Sequence, residues 1–298
     1  MRPLRSLLSF LLVVFAGGAL LAPGLYWLVQ SLSQTFPGLA HAPFHRFVNR
    51  SLLVLALIGI WPLLRSLGAK SWQDIGLASP AGQWRKWAGG FALGFGSLAC
   101  VAVLALAAQG RVFNTNLPPP AVARKMGQAA LAAMVVSVVE EILFRGAVFG
   151  ALRKIWNWRI GLLASSMIYA IVHFMKRAEL PGPVTWHSGL ELLPRMLAGF
   201  GNLEVVVPGF FNLTLAGIIL GLAYQKSGNL YFSIGLHGGW IFWLQSYRVL
   251  TAPAGGARPA FWGTDNPIDG WLALLILGGV LLIVSRLKFS QSRDIAAE

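Results

Sequence analysis

Long apolar runs separated by short polar segments constrain the fold of this chain more than any other feature of its sequence. A helix that crosses the hydrocarbon core of a bilayer needs about 20 mostly apolar residues. By that measure about eight segments qualify, at 6–30, 52–67, 88–109, 125–152, 158–175, 207–225, 230–250 and 271–284. Open sheet edges do not survive in lipid, because their backbone groups have no partners there. We therefore expect an all-α, polytopic membrane helix bundle.

The composition supports this fold class and limits the partners. Hydrophobic residues make up 56% of the chain and charged residues only 11%, with a mean hydropathy of +0.65, whereas soluble domains carry about 25% charged residues. The net charge of +14 is spread in ones and twos between apolar runs, without the basic patch that nucleic-acid binding requires. We exclude nucleic acid as a partner and expect these cations to contact the lipid bilayer. Cys100 is the one cysteine, which excludes a disulfide framework.

The longest break in hydrophobicity runs from residue 176 to 204. Pro194 lies inside it, among leucines at helical spacing, so we predict a re-entrant or amphipathic helix that is kinked at Pro194 or starts there. The sequence contains no internal repeat and no sign of a second domain. We expect a single membrane domain over residues 1–298.

The first apolar segment follows Arg2 and Arg5 and could be a cleaved signal peptide, but its apolar run extends to Tyr26, which favours a retained helix. If all eight segments cross the membrane, the side that holds the N-terminus carries more Lys and Arg residues than the opposite side. The positive-inside rule then places both termini in the cytoplasm. We expect an integral, multi-pass protein of a bacterial cytoplasmic membrane.

The fourth apolar segment contains three charged residues, Glu140, Glu141 and Arg145. One charge at the centre of a spanning helix costs roughly 2.5–3.5 kcal/mol, so three together need a reason. Glu141 and Arg145 are four residues apart and share a helix face, which permits an ion pair. Glu140 lies about 100° around the helix from Glu141. We interpret Glu141 and Arg145 as a structural pair and Glu140 as free to face a cavity.

Two histidines lie in other spans at a similar depth. Counting 1.5 Å per residue from the nearest cytoplasmic charge puts Glu140, His173 and His237 about 20, 21 and 17 Å into the membrane. We therefore expect these three side chains to converge near the middle of the bilayer, with Glu140 facing both imidazoles. A carboxylate beside imidazoles suits a general base that acts on water.

The same residues leave two other interpretations open. A glutamate and two histidines can hold a catalytic zinc ion, although Glu140, His173 and His237 lie on separate helices and lack the H-E-x-x-H arrangement. Intramembrane Glu, His and Arg also build proton relays. A non-catalytic membrane protein, either an immunity-type partner or a proton-coupled transporter, is therefore the alternative, although the chain lacks the internal repeats of many carriers.

In order along the chain, Glu140-Glu141-x-x-x-Arg145, an aromatic residue four before His173, and His237 on a third helix resemble the CPBP family. This family comprises the type II CAAX prenyl proteases, or Ras-converting enzymes, and bacterial relatives that include lysostaphin-resistance and bacteriocin-immunity proteins. The resemblance covers about residues 125–245 and implies that they form a catalytic core within the membrane domain.

The resemblance implies an intramembrane endopeptidase with a glutamate-dependent mechanism and no cofactor. Glu140 and His173 would activate a water molecule, His237 would stabilise the oxyanion, and Glu141 with Arg145 would fix the helix. Eukaryotic members cleave after a prenylated cysteine. This chain carries no sign of such a substrate, and we expect a peptide or membrane-protein substrate.

Two positions depart from the family pattern. Tyr169 stands where the family usually has Phe, four residues before the first histidine. Ile241 stands where it usually has Asn, four residues after the second, so an amide that could stabilise an oxyanion is missing. Gln245, one turn further on, is a candidate substitute, and Tyr169 either hydrogen-bonds into the site or packs against it.

Overall fold

The computed structural model describes residues 2–77, 79–175 and 178–289. Within these ranges the chain is almost entirely helical, which confirms the predicted all-α polytopic bundle. The contacts divide it into two compact units. The single domain over 1–298 with a core at 125–245 stays a prediction, as does the orientation of the termini. Lys176, Arg177 and Arg293, which contributed to the charge comparison, lie outside the described residues.

The first unit comprises the chain up to Gly68 together with Val172–Gly201. Its described elements are helices Arg2–Leu12, Gly18–Ser31, Pro37–Ala40, Phe44–Ser66 and Ser188–Met196, a π-helical turn at Val13–Gly17 and a 3₁₀ turn at Leu197–Gly201. Phe44, Phe47 and Leu192 form its buried core. A Cβ at Gly189 would overlap the carbonyl oxygen of Ala19, so glycine is what lets this short helix pack closely on the first span.

The second unit comprises Ala69–Ile171 and the chain from Asn202 onward. Two of its helices carry the glutamates and His237: Pro119–Glu141, here called the glutamate helix, and Tyr231–Leu250, the histidine helix. The other described elements are 3₁₀ turns Gln73–Ile75 and Pro267–Asp269, helices Trp84–Ala107, Gly150–Ile155, Trp158–His173, Leu203–Ser227, Pro259–Trp262 and Trp271–Arg286, the π-helical segment Ile142–Phe149, and strands Arg111–Phe113 and Thr251–Pro253.

Glycines hold the histidine helix against helix Trp84–Ala107. A Cβ at Gly94 would overlap the carbonyl oxygen of Leu236, and a Cβ at Gly235 would overlap that of Trp87. A Cβ at Gly90 or at Gly239, one turn away on each helix, would likewise overlap backbone atoms of the facing helix. Small residues four apart on both helices allow this approach, in which dispersion contacts replace the hydrophobic effect as the driving force in lipid. The position of the histidine helix is therefore set by backbone contact.

A two-stranded antiparallel sheet joins the segments that follow the carboxyl ends of these same two helices. Arg111 pairs with Pro253 and Phe113 with Thr251 in its register. Its second strand follows Leu250, the last residue of the histidine helix, so the sheet lies at the end of that helix remote from His237.

Each of the eight predicted apolar segments coincides with a helix in the described chain. Four described helical segments are long and apolar enough to cross a membrane by themselves, namely Pro3–Ser31, Phe44–Ser66, Trp84–Ala107 and Leu203–Ser227. The helix that contains the second predicted segment starts at Phe44 and not at residue 52. The sequence missed its first turns because the exposed Arg46 and Arg50 lower their hydropathy.

The helix in the long break begins at Ser188, so Pro194 does not start it. The chain continues as a 3₁₀ turn from Leu197. Its buried leucine is Leu192, whereas two leucines at the helical spacing noted in the sequence, Leu190 and Leu197, are 38% and 51% exposed. The helical spacing therefore does not identify the face that is buried.

Candidate active site

The glutamate helix brings two consecutive carboxylates to its carboxyl end. Glu141 is completely buried, whereas 24% of the Glu140 side chain is exposed. Directly after them the backbone is π-helical from Ile142 to Phe149. Such wider turns occur frequently at functional sites. Hydropathy cannot show a π-helix, because the residues remain apolar whichever helix they form.

Arg145 lies in the π-helical segment and is buried with Glu141. Its Nη1 is 3.0 Å from Glu141 Oε1, the ion pair that their spacing predicts. Its Nη2 donates to the carbonyl oxygen of Gly217 at 3.4 Å, and the guanidinium lies 4.9 Å from the centroid of the Tyr169 ring. Three elements therefore fix the guanidinium, and its charge offsets that of Glu141 where water is excluded.

The imidazole of His237 lies against both glutamates. Its Nδ1 is 2.9 Å from Glu141 Oε1, and its Nε2 is 3.7 Å from Glu140 Oε2. An ionised carboxylate only accepts hydrogen bonds, so Nδ1 carries a hydrogen and donates it to Glu141. Glu141 thus pairs with Arg145 as their spacing predicts, and the same carboxylate oxygen also holds the imidazole, which the spacing does not predict.

The four groups form a cluster whose charges can balance. With both glutamates ionised and Arg145 charged, a neutral His237 leaves one negative charge in excess. A protonated His237 brings the sum to zero, which reduces the cost of burial in a medium of low dielectric constant. The arrangement can thus present an N–H at Nε2 of His237 without a net buried charge.

Tyr169 completes the site from helix Trp158–His173. Its hydroxyl is 3.3 Å from His237 Nε2, and its ring packs edge-on against Phe144 with centroids 4.9 Å apart. Of the two roles considered for Tyr169, the hydrogen bond is present, and packing accompanies it. Nδ1 and Nε2 of His237 therefore both have partners.

The other three positions that the sequence singles out are His173, Ile241 and Gln245. His173 is the last residue of its helix, is exposed, and belongs to the first compact unit, so its approach to Glu140 stays a prediction. Ile241 is buried one turn after His237 and offers no hydrogen-bonding group. Gln245 is exposed.

Within the described chain, no group of three His, Cys, Asp or Glu side chains is placed to hold a metal ion. In the second unit, His237 directs Nδ1 at a carboxylate by a direct hydrogen bond, which leaves Nε2 as its one available ligand atom. The zinc set of Glu140, His173 and His237 requires His173, and it stays an alternative.

An apolar helical bundle with this cluster among its helices defines an integral, polytopic membrane protein. Residues 123–243 match the family model described as "Type II CAAX prenyl endopeptidase Rce1-like". The predicted resemblance to the CPBP family is thereby confirmed over this stretch of the chain. All five predicted site residues fall within it. Comparisons with curated proteins and with solved structures gave no match.

Proposed function

We propose that this protein is an intramembrane endopeptidase that hydrolyses a peptide bond with a water molecule activated by Glu140. The family match supports a protease. The observation that carries the proposal is the imidazole of His237 in contact with two adjacent glutamates, of which the buried one, Glu141, is already engaged by Arg145.

Glu140 is assigned the role of general base. It is the more accessible of the two carboxylates, and Glu141 is engaged by Arg145. A base must lie within hydrogen-bonding reach of the water that it deprotonates. The water loses a proton to Glu140 as its oxygen bonds to the carbonyl carbon. His173 is proposed, from the sequence alone, as the second group that orients this water.

His237 is assigned the stabilisation of the oxyanion. When it is protonated, Nδ1 donates to Glu141 and Nε2–H is directed to the side of Glu140, where the carbonyl oxygen gains charge. Preorganised donors of this kind commonly supply the largest part of catalysis in acyl transfer. Glu141 and Arg145 hold the imidazole in orientation. When the intermediate collapses, the C–N bond breaks and the leaving amine takes the proton from Glu140.

The substrate proposed is a peptide or membrane protein whose scissile bond reaches the interior of the bilayer. The family description names CAAX prenyl endopeptidases, and the membrane location of the cluster suits a bond near a lipid-embedded anchor. Whether that anchor is a prenyl group is a separate question, which a matched pair of prenylated and unmodified peptides would answer.

Replacing Glu140 with Gln tests the proposal most directly. The amide keeps the shape of the side chain but cannot take a proton from water, so cleavage should fall to the background rate. The measurement is hydrolysis of a fluorogenic peptide panel by purified protein in proteoliposomes, with thermal unfolding as the check on folding. Glu204→Gln, an exposed glutamate in the first turn of another helix, is the matched control. Full activity of Glu140→Gln would exclude the assignment.

The zinc alternative needs its own measurement. A metal-dependent enzyme would contain close to one zinc per chain when purified without chelator and would lose activity in a chelator, with recovery on zinc addition. A glutamate-dependent enzyme would keep its rate in the chelator.

The non-catalytic alternative rests on Ile241, which stands where the family usually has Asn. Without that amide, a donor to the oxyanion is missing. Uptake driven by a pH gradient in proteoliposomes, without cleavage of any peptide, would establish a proton-coupled transporter in place of a protease.

A further inference from the structure

Tyr169 occupies a position that is fixed independently of its hydroxyl group. Its side chain is 4% exposed, its ring packs edge-on against Phe144, and the guanidinium of Arg145 lies over its face. Such cation–π and edge-to-face contacts hold an aromatic ring in one orientation. The hydroxyl therefore points to His237 because of the packing around the ring.

The hydroxyl lies at the nitrogen of His237 that faces Glu140. It is 3.3 Å from Nε2, which in turn is 3.7 Å from Glu140 Oε2. A tyrosine hydroxyl can donate or accept, so it fits this nitrogen in either protonation state of the ring. Two donors about 3 Å from one oxygen atom can themselves be 3–5 Å apart, the separation observed between the hydroxyl and Nε2. The proposed base and two potential donors thus lie close together around Nε2 of His237.

The two positions of the histidine helix at which the sequence suggests an oxyanion donor, Ile241 and Gln245, do not supply one here. Ile241, one turn after His237, is aliphatic, and Gln245 is exposed. In the described chain the hydroxyl of Tyr169 is the neutral donor found at Nε2.

We propose that Tyr169 is a catalytic residue whose hydroxyl donates the second hydrogen bond to the oxyanion, in the place of the amide that Ile241 lacks. This inference rests on the proposed function. As the water oxygen bonds to the carbonyl carbon, the carbonyl π electrons move to oxygen. That oxygen then accepts from His237 Nε2–H and from the hydroxyl of Tyr169. No proton leaves the tyrosine, and the collapse of the intermediate returns it to its contact with His237.

Tyr169→Phe removes the hydroxyl alone and tests this role. Loss of one oxyanion donor lowers kcat by about 10²–10³-fold, so we expect a decrease of that size with KM within about threefold, since the bond forms only in the transition state. Tyr224→Phe, the same change at a buried tyrosine packed against Phe149, is the matched control and should keep full activity.

A second variant keeps the ring and its packing. Fluorinated tyrosine at position 169 has a more acidic phenol, and its kcat should change with phenol acidity if the hydroxyl donates to the oxyanion. A residue that only packs would give the same kcat with each fluorinated ring.

The outcomes separate this inference from the proposed function. Loss of cleavage in Glu140→Gln together with a wild-type kcat in Tyr169→Phe overturns the role of Tyr169 alone. A rise in KM at constant kcat also overturns it, because the hydroxyl would then bind substrate in the ground state. Full cleavage by Glu140→Gln overturns the proposed function, whatever Tyr169→Phe does.

Discussion

Two arginines of the second unit, Arg111 and Arg145, are buried to a similar degree, at 1% and 3% exposure, and are held in different ways. Arg111 donates to the hydroxyl and carbonyl oxygens of Thr251 at 3.1 and 3.0 Å and to the carbonyl oxygen of Thr264 at 2.6 Å. Its guanidinium lies 4.4 Å from the centroid of the Tyr247 ring. Arg145 instead pairs with a carboxylate that also holds an imidazole.

The contrast shows that burial of a charge does not by itself indicate chemistry. Burial lowers the pKa of the Arg111 guanidinium, because desolvation disfavours the charged form. An arginine nevertheless keeps its proton in proteins, and carbonyl and hydroxyl partners take no proton from it. The partners of Arg145 include groups that can exchange protons. A buried charge points to function when its neighbours titrate.

The largest effect on stability is expected for Arg145→Met. Removing one partner of a buried ion pair costs about 3–5 kcal/mol, because the other charge stays buried without compensation. The double variant Glu141→Gln/Arg145→Met removes both charges and should regain most of that stability, while cleavage stays low because the imidazole has lost its ionic partner. Thermal unfolding in detergent measures both. A single variant as stable as the double would show that the pair does not compensate the charge of Glu141.

Arg111→Met should reduce stability without changing the chemistry. Each buried acceptor that loses its donor costs about 1–3 kcal/mol, and water at the two-stranded sheet can replace part of the lost hydrogen bonding, so we expect a loss of about 2–4 kcal/mol. Thr251 follows His237 by 14 residues, or about 21 Å along the helix, so kcat of the folded fraction should match the wild type. A fall in kcat in protein that remains folded would give Arg111 a role in the site.

Gly94→Ala tests whether the site depends on the backbone contact behind it. The new Cβ would meet the carbonyl oxygen of Leu236, beside His237, so the helices must separate. Forcing extra volume into a packed contact costs about 1–3 kcal/mol, and we expect kcat to fall several-fold as His237 shifts. Gly96→Ala, where a Cβ meets nothing within 4 Å, is the matched control and should be neutral or stabilising. Equal behaviour of the two variants would show that helix separation does not set the geometry.

The spans were predictable because hydropathy follows from residue type. Every predicted apolar segment lies on helical structure, and four described helical segments are long and apolar enough to cross a membrane. The bounds are off at Phe44, where arginines continue a helix beyond its apolar part. The Glu141–Arg145 pair was predictable for a related reason, since a separation of four places both on one helix face. The π-helical turn that follows was not, because it depends on packing and leaves the apolar pattern unchanged.

Taken alone, the sequence determined that the chain spans a membrane, which family it resembles, and which residues are chemically able to act there. Local properties decide these points: hydrophobic length, the spacing of charges and the order of a motif. Only the tertiary structure decided that Glu141 holds both Arg145 and His237, and that Tyr169 and not Gln245 reaches the imidazole. These contacts join helices far apart in the chain, and their geometry depends on how closely the glycines let the backbones approach, a distance that no pattern within one segment encodes.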